Sequence, residues 1–136
     1  MGCCLGNRDE SIDDDLYGCN TIDELISAIN QQLQNLKREE KEITDFFSTN
    51  NTNFYTHIEY NNMNNLELKQ RKKFLKNIIT TLEYTSFNLK KKEDKINFNK
   101  VFPMINNLFF IIKSKVEPNN GIKNFYNEFN EYIKEL

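Results

Sequence analysis

Leucine recurs every seven residues at Leu68, Leu75, Leu82 and Leu89. Seven residues make nearly two α-helical turns, so these side chains form one edge of a helix, whereas a strand would send successive members to opposite faces. Phe74, Ile78 and Ile79 widen the stripe. The period predicts a helix from about Asn65 to Lys90, with Lys90, Lys91 and Lys92 at the negative end of its dipole. A second seam lies upstream at Ile22, Ile26, Ile29, Leu33, Leu36, Ile43 and Phe47, in steps of four and three that keep register across Glu40. Its start is marked by Thr21-Ile22-Asp23-Glu24, in which the Thr21 hydroxyl can accept from the Glu24 amide while Glu24 reaches back. A helix of about 26 residues is about 39 Å long.

Two shorter helices follow. Val101 to Val116 is apolar over more than half its circumference, with Pro103 placed in a first turn, where proline is tolerated. After the turn Pro118-Asn119-Asn120-Gly121, residues Ile122, Phe125, Phe129, Tyr132, Ile133 and Leu136 again fall at three- and four-residue steps. Strand alternation and internal repeats are absent. The expectation is an all-α protein: an antiparallel bundle of about four helices over residues 21–136, behind a flexible acylated tether over residues 1–20. The first two helices are longer than the last two, so their ends are expected to project as a surface for protein partners.

The chain of 136 residues fits one domain. Its 22 asparagines beside a single alanine, Ala28, read as coding bias and blur helix boundaries, because Asn is a poor helix former. The net charge of −2 gives no general reason to expect nucleic acid. It is unevenly spread: residues 1–47 hold 4 basic and 11 acidic side chains, and residues 66–100 hold 10 basic and 4 acidic.

Most catalytic and cofactor chemistries lack their residues here. The four glycines, Gly2, Gly6, Gly18 and Gly121, build no phosphate loop. The one histidine, His57, has no spaced metal-ligand partners, and Asp13-Asp14-Asp15 lacks the alternation of a calcium loop. No secretory leader or membrane span is expected, and the three cysteines suggest no disulfide framework. No enzymatic activity, cofactor or metal is therefore expected.

Met1-Gly2-Cys3-Cys4 carries the functional expectation. Removal of Met1 frees the Gly2 amine for a myristoyl chain. One such chain gives only marginal membrane binding, so stable anchoring needs a second signal. Arg8 stands against Asp9, Glu10, Asp13, Asp14 and Asp15, which leaves palmitate on Cys3 or Cys4 as that signal. This start resembles the acylated N-termini of Src-type kinases, G-protein α subunits and the small helical anchor of the Ragulator scaffold, over the N-terminal segment only. Length and the missing phosphate loops exclude the first two classes, and the third comparison implies a scaffold by analogy. The expectation is a non-enzymatic adaptor, lipid-anchored on the cytosolic face of a membrane and binding proteins through its first two helices. The alternatives are a lipid-binding or lipid-shuttling bundle and a self-associating cortex or coat component.

Lys69, Lys72, Lys73 and Lys76 share one face of the second helix, and Arg71 lies off it. They are expected to meet Glu39, Glu40, Glu42 and Asp45 of the first helix in an antiparallel hairpin, with contact to anionic lipid as the competing use. Glu40 falls at a core position, so either that helix end is exposed or a cation meets the carboxylate.

Overall fold

The computed structural model describes residue 16 and residues 18–49, 65–114 and 120–136. Four helices follow one another: α1 (Ile22–Thr49), α2 (Asn65–Lys91), α3 (Phe98–Ser114) and α4 (Gly121–Lys134). No strand occurs among the described residues, and the expected all-α helical bundle is the fold.

α1 begins as its first residues dictate. The Glu24 amide donates to Thr21 Oγ1 at 3.2 Å, and Glu24 Oε1 accepts from the amides of Asn20 at 2.7 Å and Thr21 at 3.2 Å. These bonds satisfy donors that a helix start leaves without partners. The seam residues Ile22, Ile29, Leu33, Leu36 and Ile43 are buried, and so are Leu25 and Ala28, which the seam did not include. In α2 all four heptad leucines are fully buried. The side chain of Phe47 lies outside the described set.

α1 and α2 pair antiparallel. Asp23 meets Lys90, Asn30 meets Ser86, Lys37 meets Glu83 and Glu39 meets Arg71, so one chain rises in number as the other falls. α4 packs beside the C-terminal half of α2, where Tyr84 Oη donates to Asn130 Oδ1 and Lys92 Nζ donates to the Ile133 carbonyl at 3.4 Å. The Phe125 and Phe129 rings stack at 5.6 Å, and Tyr84 meets Phe129 edge-on at 6.1 Å. Burial, and then the neighbouring Tyr126, push the Tyr84 phenol above its ordinary pKa.

Two boundaries and one covalent link depart from the sequence reading. α3 begins at Phe98, not Val101, because Asn97 caps it: Asn97 Oδ1 accepts from the Asn99 amide at 3.0 Å, and its carbonyl accepts from Lys100 at 2.9 Å. Pro103 therefore sits inside the helix and gives the Asn99 carbonyl no amide. The core also reaches further toward the N-terminus than residue 21. Leu16 is 0 % exposed and Cys19 is buried. Finally, Cys19 is disulfide-bonded, where the three cysteines suggested no disulfide framework.

Toward the end where α1 stops and α2 begins, Ile43, Leu68 and Leu75 are fully buried.

Candidate functional site

Four lysines of α2 and the acidic stretch of α1 lie along the α1–α2 pair. α2 presents Lys69, Lys73 and Lys76 to solvent and Lys72 half-buried. The helices bring acidic and basic segments together at the end the charge pattern predicted, but through a different cation. Arg71 forms the closest pair, with Nε and Nη2 each donating to Glu39 at 2.9 Å. Its guanidinium also lies 5.3 Å from the centre of the Phe74 ring. Arg71 is 11 % exposed and Glu39 25 %, and Nη1 has no hydrogen-bond partner.

Among the described residues, Lys76 alone of the four lysines finds a carboxylate, that of Glu40 at 4.0 Å. Lys69, Lys72 and Lys73 form no ion pair among the described residues. Asp45 pairs with Lys41 of its own helix at 3.2 Å. The expected register of four lysines against four carboxylates is thus corrected to one bidentate pair and one long contact. The reason is position on the helix. Arg71 stands three residues after Leu68 and four before Leu75, and Glu39 stands three after Leu36 and four before Ile43. Both flank the buried seams, whereas Lys69 and Lys73 point away from them.

Glu40 is met by Lys76 and keeps 25 % of its side chain exposed. Glu40→Leu is therefore expected to raise stability by up to about 1 kcal/mol, since a partly buried pair of this length contributes little against an apolar contact. Thermal melting measures the gain, and sedimentation velocity should still show the wild-type oligomeric state. New dimers in the variant would mean that this end of α1 is open to partners.

Gly2, Cys3 and Cys4, the candidate lipidation residues, lie outside the described residues, as do His57 and the Asp13–Asp15 run. Among the described residues no three His, Cys, Asp or Glu side chains gather in a way that could hold a metal. Among the described residues no helix is long and apolar enough to cross a membrane. A groove of about 350 Å³ runs between α3 and α4, lined by Asn99, Lys100, Pro103, Asn107, Phe125 and Glu128 among others. It is open to solvent, and polar and apolar surface line it in similar measure.

The fold places the chain in the class of all-α helical bundles. Compared with known protein families, curated proteins and solved structures, it matches none.

Proposed function

We propose that the chain is a non-enzymatic adaptor, held on the cytosolic face of a membrane by myristate on Gly2 and palmitate on Cys3 or Cys4. The observation that carries this reading is the sequence Met1-Gly2-Cys3-Cys4 ahead of a helical domain. Confinement to a surface raises local concentration, so a modest contact with a partner on the same membrane becomes effective. The helices supply the rigid body that such a contact needs.

Cys19 adds a condition. Cys3 and Cys4 are the other cysteines of the chain, so pairing of Cys19 with either thiol competes with its acylation. A reducing cytosol keeps such thiols free. The test is fractionation of eukaryotic cells expressing the full chain. Gly2→Ala is expected to move most of the protein from the membrane to the soluble fraction. Joint replacement of Cys3 and Cys4 by Ser leaves a single acyl chain, with an association constant of only about 10⁴ M⁻¹, and so gives partial release. Hydroxylamine-sensitive labelling should report a thioester in wild type and in Cys19→Ser. A membrane fraction unchanged by Gly2→Ala would overturn the anchor.

A further inference from the structure

We propose that the outer face of α2 is a docking surface for an anionic phospholipid bilayer, so that the anchored domain lies along this helix. The inference rests on the membrane-anchored reading and adds an orientation to it.

Lys69, Lys73, Lys76, Thr80, Phe87 and Lys91 follow one another at steps of three, four and seven residues, and all are exposed. They form one stripe about 33 Å long. Lys72 lies at its edge. Apart from Lys76, which meets Glu40 at 4.0 Å, the charge of the lysine cluster is not consumed inside the fold. Glu39 is held by Arg71, Asp45 by Lys41 and Glu83 by Lys37, which leaves Lys69, Lys72 and Lys73 without an ion pair among the described residues. An uncompensated row of ammonium groups on a chain of net charge −2 is a local feature, and a negatively charged leaflet is its complement.

Apolar side chains on the same side narrow the choice of partner. Leu66 and Phe87 are each 63 % exposed, one at either end of the lysine cluster, and the Lys91 ammonium lies 5.6 Å from the centre of the Phe87 ring. Lysines that reach headgroups while Leu and Phe enter the acyl boundary are the composition of a surface-lying amphipathic helix. A nucleic-acid backbone would use the cations but leave Leu66 and Phe87 in water.

The test uses the full chain carrying Gly2→Ala, which cannot be myristoylated. Its binding is measured to phosphatidylcholine vesicles, to the same vesicles doped with phosphatidylserine, and to duplex RNA. Binding to the phosphatidylserine vesicles alone, weakened by added salt, is the expected result. Joint replacement of Lys69, Lys72 and Lys73 by Gln is expected to lower the partition coefficient about 100-fold, from roughly fivefold per cation. The melting temperature should not change, because these lysines form no ion pair. Phe87→Ser should lower the partition further. Equal binding to both vesicles, no binding to either, tighter binding to RNA, or an unaffected triple variant would each overturn the proposal. Metabolic myristate labelling of wild type keeps the two readings apart. An unlabelled chain with a working lysine stripe defeats the anchor alone, and a labelled chain with an inert stripe defeats the docking surface alone.

Discussion

Replacing Leu75 with Ala is expected to remove about 3 kcal/mol of stability, while Leu66→Ala in the same helix changes it by less than about 0.5 kcal/mol. The chemistry of the two substitutions is identical, and Ala is the better helix former in both. What differs is surroundings. Leu75 is fully buried in the seam between α1 and α2, and Leu66 is 63 % exposed on the outer face. Removing Leu75 loses its transfer free energy and leaves a cavity that the flanking side chains fill only in part. Urea unfolding followed by circular dichroism measures this as a lower midpoint at unchanged slope. The same loss at both positions would mean that the heptad leucines do not face a common core.

The heptad was legible because packing and periodicity say the same thing there. A leucine every seven residues can be satisfied only by a long neighbour, and the Ile22–Ile43 seam supplies one of matching length. The start of α1 was equally readable, since Thr21 and Glu24 satisfy each other locally and need nothing from the rest of the fold. The start of α3 was not. Asn97 is one of many asparagines, and only the backbone conformation distinguishes the one that caps a helix. Buried polar residues of α2 were hidden for a related reason. Thr85 Oγ1 donates to the Thr81 carbonyl at 2.8 Å, and Asn88 Nδ2 donates to the Tyr84 carbonyl at 2.9 Å. Each thus satisfies a donor within its own helix and enters the core at little cost. In the candidate site, spacing showed that four lysines share a face, but not which cation would reach a carboxylate. That depended on the rotation of α2 against α1, which turns Arg71 inward and Lys69 outward.

The Arg71–Glu39 pair should behave unlike any other ion pair in the chain. Both groups are largely removed from water, and Arg71 Nη1 already lacks a partner. Removing one member leaves the other desolvated without compensation. Arg71→Met and Glu39→Met are each expected to cost about 2–3 kcal/mol, at the low end for buried pairs because Glu39 keeps some exposure. The double substitution replaces two charges by apolar side chains beside Phe74 and the seam. It should cost far less than the two singles added together, with a coupling of about 2 kcal/mol. Salt distinguishes this pair from the exposed one between Lys37 and Glu83, which lie 2.8 Å apart with half of each side chain in solvent. Loss of that contact through Lys37→Gln should change stability by only a few tenths of a kcal/mol, and less at high ionic strength. The Arg71–Glu39 coupling should persist there, because little solvent reaches between its members. Denaturant unfolding of wild type, both singles and the double variant, at low and high salt, provides the measurement. Additive losses, or a coupling that vanishes with salt, would show that the guanidinium is held by its stacking on Phe74 and not by the carboxylate.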